Sequence, residues 1–422
     1  MAKKYKILNL QIKLGRTAPV NDKYRCIMAT QKINQFGFTQ YKRFPGTENL
    51  EIKPVTILVG KNSSGKSSIT KLMPILARSI SGGLKKTLLL LETDGVSLGT
   101  SYQSLCHNGN SVGLSFSLHF EDVELQIILI SNPKDEIQIQ RYIVTKGDNR
   151  SELILGKDRL NYECPQTGKS YIGSGFSGFI HKDFLEDCGV DSSFEMNVDY
   201  IGPLRCTPER TQYYTGAELP DNVGPKGENA YQLLCYDDNL VSKVSSWFEG
   251  HFSGCKLRVV PAGSEKGTYL VQMNKPDNDS YWVNIADEGM GMGQILPIVV
   301  RCIHSVQDSI VVIEQPELHL HPASHEAIAK LFATTSKQNG QRYIVETHSE
   351  NILLGLRDAV VDKNIDFTSD DVVIYFVDED EEGAYLKKIT IDSDGMLSSW
   401  PEGVFNESYE LLNKIITKAS QH

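Results

Sequence analysis

Apolar and polar residues alternate along this chain in two rhythms, one of strands and one of helices. Residues 33–44 (INQFGFTQYKRF) and 50–59 (LEIKPVTILV) read as strands, and the second closes on VTILV, a short apolar run suited to a buried strand. From Ser67 to Ile80 the apolar positions fall at helical spacing and stop at Gly82-Gly83. Residues 95–145 read as β-rich, with SVGLSFSLHF and VELQIILI as their clearest alternations. Residues 146–195 are polar and turn-rich and yield no assignment, and Tyr200 to Gly227, rich in Pro, Gly and Arg, reads as an ordered loop. Residues 228–252 are expected to be helical, and Leu257–Met273 with Tyr281–Ile285 to form a β-hairpin. Thereafter strands and helices alternate: helices at Ile295–His304, His325–Gln338 and Ile352–Arg357, strands at Ile310–Ile313 and Tyr343–Val345. That order predicts an α/β fold with a largely parallel sheet and crossover helices. The expected division is an N-terminal lobe over 1–145, a helical or irregular insertion with the Arg-containing loop over 146–256, and a C-terminal lobe over 257–422.

Composition narrows the class. The chain has 422 residues, 40% hydrophobic and 23% charged, which is globular rather than disordered. Its formal net charge of -10 argues against a surface coated with basic residues, though a local basic groove for nucleic acid is left open. The eight cysteines (26, 106, 164, 188, 206, 235, 255 and 302) form no CxxC pair and read as reduced thiols. The N-terminal residues lack the apolar run of a signal peptide, and no segment has the apolar length of a membrane span. A cytoplasmic location without a membrane partner is expected.

Four constellations carry chemistry. The first, GKNSSGKSS from Gly60 to Ser68, fits the phosphate-binding pattern G-x-x-x-x-G-K-[ST] and lies between a predicted strand and a predicted helix. Gly60, Asn62, Ser63, Ser64, Gly65 and Ser68 supply a loop whose N–H groups can face phosphate; Lys66 can reach the β- and γ-phosphates of ATP, and Ser67 can hold Mg²⁺. The second, SIVVIEQPELHLHP (309–322), is an apolar strand ending in Glu314, placed to serve the metal. Gln315 follows, where related ATPases often carry the glutamate that activates water. Glutamine can hydrogen-bond water but is no general base. The third, IVETHSEN (344–351), puts His348 at a strand edge where it can sense a γ-phosphate; the alternative is a structural histidine. The fourth, ADEGMGMGQILPIVV (286–300), opens a predicted helix with Gly289, Gly291 and Gly293. It reads either as a flexible helix cap or, in a dimer, as a turn closing on the other subunit's γ-phosphate.

In that order the four motifs resemble ABC-type ATPases of the SMC, RecF and OLD branch. The wording EQPELHLHP, IGPLRCTPERTQYY, GPKGENA and DGMLSSWPEGVFNES is similar to the AAA family of OLD-like ATPases, which includes ATPase subunits of prokaryotic antiphage systems such as Septu and retrons. The resemblance spans about residues 33–410 and implies an ABC-type ATPase head: a mixed N-terminal β subdomain beside a parallel-sheet phosphate-loop core. It implies ATP and Mg²⁺ as cofactors, with Gly289, Gly291, Gly293 and Gln294 as the signature turn and Gln103 as a metal-associated glutamine. Ser67 and Glu314 would serve the metal, and Glu314, Gln315 and His348 hydrolysis. It implies a head-to-tail homodimer or higher oligomer gating an effector such as an HNH nuclease or toxin in antiviral defence. Two rival readings are an ATP-clamped scaffold with little turnover and a RecF-like DNA-repair ATPase. Arg205 and Arg210 are candidates for a phosphate or partner contact, or for salt bridges in an ordered loop. Glu317, His319 and His321 look like a metal cluster, and Asp378 and Asp380 like a Toprim nuclease pair. The shared LHP wording and the missing companion glutamate motif argue against both.

Overall fold

The computed structural model describes residues 31–81, 83–84, 88–132, 134–213, 219–263, 267–275, 278–304, 306–400 and 417. The N-terminal stretch with Cys26, and residues 401–408 of the DGMLSSWPEGVFNES segment, lie outside them.

In chain order, β1 (Ile33–Tyr41) turns into β2 (Phe44–Glu51), and β3 (Val55–Gly60) runs through a short loop into helix α1 (Lys66–Ile80). A small hairpin of β4 (Glu92–Thr93) and β5 (Val96–Ser97) precedes β6 (Ser115–Phe120), β7 (Val123–Ser131), β8 (Ile137–Lys146), β9 (Asn149–Leu155), β10 (Asn161–Glu163) and β11 (Ser170–Ile172). The pair β12 (Phe176–Ser177) and β13 (Ile180–His181), then α2 (Lys182–Asp187), lead to β14 (Val198–Ile201) and β15 (Gln212–Tyr213). Helices α3 (Ala230–Tyr236) and α4 (Asp238–His251) follow, then β16 (Leu257–Pro261), β17 (Thr268–Lys275) and β18 (Asn278–Asn284). The chain then alternates: α5 (Met290–Ile303), β19 (Ile310–Glu314), α6 (His325–Asn339), β20 (Arg342–Glu346), α7 (Glu350–Val361), β21 (Val372–Glu379) and β22 (Ala384–Ile389).

Two sheets dominate. An eight-stranded antiparallel sheet runs β11-β10-β9-β8-β7-β6-β1-β2. A six-stranded sheet runs β14-β19-β20-β3-β21-β22, parallel throughout except at the β21–β22 pair. Side chains alternate across the second sheet with period two, so its strands feed two cores. Leu58, Ile310, Val312 and Ile344 face α1 and the antiparallel sheet. Val55, Ile57, Val59, Val311, Ile313 and Val345 face the layer of α3 to α7. All six residues of β3 are buried, which is why VTILV reads as an unbroken apolar run.

The predicted alternation of 295–357 matches the structure closely, and the mixed α/β architecture is as expected. Elsewhere the structure differs. The segment 50–59 is the end of β2 and the first five residues of β3, parted at Ile52 to Pro54, where Pro54 lacks a ladder donor. The helix expected over 228–252 is broken at Asp237, whose extended backbone and side chain cap α4 through the N–H groups of Asn239 and Leu240. Residues 146–195 are not an insertion at their start: β8 and β9 form a hairpin across the 145/146 boundary, and β9 to β11 extend the antiparallel sheet. The loop expected from Tyr200 begins inside β14, an edge strand of the parallel sheet. Among the described residues no helix is long and apolar enough to cross a membrane.

Candidate functional site

The carboxyl ends of β3, β19 and β20 lie side by side, the place where open parallel sheets bind ligands. β3 delivers Gly60, and α1 begins at Lys66, six residues on. The loop between them needs glycine at 65. Its φ is 114°, and a Cβ there would come within 2.9 Å of the Phe44 ring, which β2 places against the loop. Lys66 is buried, and its Nζ donates to the carbonyls of Gly60 at 2.9 Å and Lys61 at 2.6 Å. Burial lowers the Lys66 pKa, and the neighbouring Glu346 opposes that shift. Ser67 Oγ donates to Glu346 Oε1 at 3.1 Å, and Thr70 Oγ1 one turn on donates to Glu314 Oε1 at 2.5 Å.

Glu314 and Glu346 are direct partners in the parallel β19–β20 ladder, and each is only 3% exposed. Burial, then repulsion by Glu314, pushes the Glu346 carboxyl up to about 7. Gln315 has a left-handed backbone, φ 46°, which costs a residue with a Cβ roughly 1 kcal/mol. Two contacts hold it there: its N–H donates to the Glu346 carbonyl at 2.7 Å, and its carbonyl accepts from Arg205 Nη2 at 3.1 Å. The same Nη2 donates to the Glu314 carbonyl. Glu317 Oε1 accepts from the His348 N–H at 2.7 Å. Burial and the charge of Lys66 lower the His348 pKa, so its ring is neutral at pH 7. A cavity of about 410 Å³ joins these parts: Asn62, Ser63 and Gly65 to Ser68 line one side, with Gln315, Glu346 and His348 opposite.

This arrangement has the phosphate loop, the strand-end carboxylates and the edge histidine of a nucleotide site. Residues 237–353 match the AAA ATPase domain family. Residues 367–415 match a family described as a protein of unknown function, DUF3696. The ATPase match takes in the glycine turn, Glu314, Gln315 and His348, whereas Gly60 to Ser68 precede it. No curated protein matches the chain. Among solved structures it is similar to an SMC head bound to the C-terminal winged-helix domain of ScpA, at 13% identity over 85% of this chain and 98% of that one, TM-score 0.44. It is also similar to the SMC head domain of Thermotoga maritima, at 12% identity over 84% and 98%, TM-score 0.40. A third is the Pyrococcus furiosus Smc head with an extended coiled coil, bound to the C-terminal domain of ScpA, at 12% identity over 92% and 100%, TM-score 0.44.

The other candidate residues lie elsewhere. Gly289, Gly291, Gly293 and Gln294 open α5 and do not line the phosphate cavity of their own chain. A Cβ on Gly291 would meet the His319 carbonyl at 2.7 Å, and one on Gly293 would meet Pro208 at 2.7 Å, so these two serve close packing. Gly289 is exposed, with nothing within 4 Å of a Cβ there. Gln294 is buried and donates through Nε2 to the Arg205 carbonyl at 3.2 Å. Gln103 is exposed in a turn and lines no part of the cavity. Arg210 forms a two-pronged ion pair with Asp287. His319 and His321 are exposed, and among the described residues no group of three His, Cys, Asp or Glu could hold a metal. Asp380 accepts from the N–H groups of Glu382 and Gly383, as a turn-forming acid does.

Sequence reasoning passed over Glu346, although the signal was present: YIVE ends an apolar strand in an acid as VVIE does. The donor set suits Mg²⁺, which takes a hydroxyl or one or two carboxylates beside phosphate and water. Ser67 supplies the hydroxyl, and Glu346 Oε2 is buried without a hydrogen-bond partner.

Proposed function

We propose that this chain is an ABC-type ATPase that binds Mg·ATP on the loop Gly60–Ser68 and works as a head-to-tail dimer. The observation that supports it most is the convergence of Lys66, Ser67, Gln315, Glu346 and His348 on one cavity at the ends of three parallel strands. Lys66 is placed to exchange its loop carbonyls for phosphate oxygens. Gln315 offers a carboxamide to hold water but cannot take its proton, and neutral His348 offers a ring nitrogen near the γ-phosphate. Ser67 and a strand-end carboxylate would hold Mg²⁺, which when bound neutralises charge on the β- and γ-phosphates. The signature turn of the second copy would complete the cavity. That role fits the exposure of Gly289, while Gln294 would act through the fold rather than on phosphate. By the resemblance of its motifs to antiphage ATPases, closure of the dimer would gate an effector such as an HNH nuclease or toxin in the cytoplasm.

Phosphate release by the purified chain tests the catalytic part. Turnover that Lys66→Ala abolishes supports it. Gln315 favours a second reading, a scaffold clamped by ATP. Tight ATP binding with no turnover, restored by Gln315→Glu, would select the clamp.

A further inference from the structure

Two buried carboxylates end neighbouring strands, and among the described residues neither forms an ion pair. Glu314 and Glu346 face the same sheet edge as ladder partners. Lys66, which lines the same cavity as Glu346, gives its Nζ hydrogen bonds to two loop carbonyls. Buried carboxylates are costly unless paired or bound to metal. The two differ in what they face. Glu314 is turned toward α1, where Thr70 occupies its Oε1, and it does not line the phosphate cavity. Glu346 lines the cavity, touches Ser67, and keeps a buried Oε2 with no hydrogen-bond partner.

We propose that Glu346, rather than Glu314, is the carboxylate that ligates the divalent cation of this site, sharing it with Ser67. The inference rests on the ATP-site reading above. Octahedral Mg²⁺ with bonds of 2.0–2.1 Å sets neighbouring ligand oxygens about 2.9 Å apart. Ser67 Oγ and Glu346 Oε1 stand 3.1 Å apart, close to one edge of that octahedron. Phosphate oxygens and water would complete the coordination. Glu314 is then a positioning residue, anchoring the second turn of α1 through Thr70.

The test is equilibrium binding of a fluorescent ATP analogue to the full chain, first in EDTA and then titrated with Mn²⁺, with Mn²⁺ electron paramagnetic resonance counting bound ions. Glu346→Gln should bind nucleotide in EDTA within about twofold of the native chain but need at least tenfold more Mn²⁺ to reach full affinity. Glu314→Gln should shift the Mn²⁺ requirement less than about threefold. A loss confined to Glu314→Gln, or equal in both variants, overturns the assignment. If Glu346→Gln does not fold, Glu346→Asp carries the same test, because the shortened side chain withdraws from Ser67. A native chain that binds no nucleotide even with saturating Mn²⁺ refutes the ATP-site reading itself, an outcome separate from any failure of the metal assignment.

Discussion

Arg205 Nη2 donates to the main-chain carbonyl of Glu314 at 2.6 Å. The guanidinium is buried, which lowers its pKa to about 10, while Glu317 and then Glu314 favour its charge. It therefore stays cationic at pH 7 and fixes the turn that presents Gln315. Removing it leaves two carbonyls without their donor and takes a positive charge from beside Glu317. Arg205→Met should destabilise the chain by roughly 3–5 kcal/mol and cut turnover at least tenfold, with EDTA-state nucleotide affinity nearly unchanged. Calorimetry and phosphate release check this; loss of nucleotide affinity in step with turnover would show that Arg205 contacts the ligand instead.

The phosphate loop leads to a sharper expectation. Lys66→Ala removes the one ammonium that the loop curls around. ATP affinity should fall at least a hundredfold and turnover should vanish, while the melting temperature moves little, because Lys66 bonds only carbonyls of its own loop. Isothermal titration measures the first and phosphate release the second.

The pH dependence of the metal- and nucleotide-free chain follows from Glu346. Its carboxyl is pushed from 4.5 up to about 7, chiefly by burial. A raised acid binds its proton more tightly folded than unfolded, so its contribution is complete below pH 4.5 and is lost as pH rises through 7. Glu346→Gln should flatten that decline and stabilise the free chain at pH 8 by up to about 3 kcal/mol. Urea unfolding at pH 4.5, 6 and 8 reads the difference; parallel curves for the two proteins would refute the shift.

The glycines of 289–293 can be separated by substitution. Gly293→Ala should lower the melting temperature, since its Cβ would press on Pro208. Gly289→Ala has open space and an ordinary backbone, so the fold should be unaffected. If this turn closes on the phosphate of a second copy, Gly289→Ala should still slow turnover at least fivefold and weaken ATP-dependent dimerisation in sedimentation experiments. Unchanged turnover would remove the turn from the reaction.

How far the sequence carried the fold depended on how local each signal was. The phosphate loop is legible because its glycines and its lysine serve a contiguous backbone curl. The strands β19 and β20 are legible because both their faces are buried. The strands β9 to β11 were not: β10 and β11 have three residues each, β9 buries a single residue, and their pairing in sequence onto β8 is a tertiary fact that no local window contains. Gln103 was placed by order and residue type alone, and the fold leaves it on an exposed turn away from the cavity. Gln294 looked like a ligand contact because it follows the glycines, yet its neighbour is the carbonyl of a residue 89 positions away. Glu346 is masked in the sequence by His348 two residues on, whose place at a strand edge is the stronger local signal.

The ends of β14, β19 and β20 are joined crosswise. Arg205 after β14 grips the carbonyls of Glu314 and Gln315; the Gln315 N–H reaches the Glu346 carbonyl; Glu317 reaches back to the His348 N–H. A floor built this way is a truss rather than three separate planks. No single rung can tilt without straining the next, so a disturbance at any one strand end is carried to the other two.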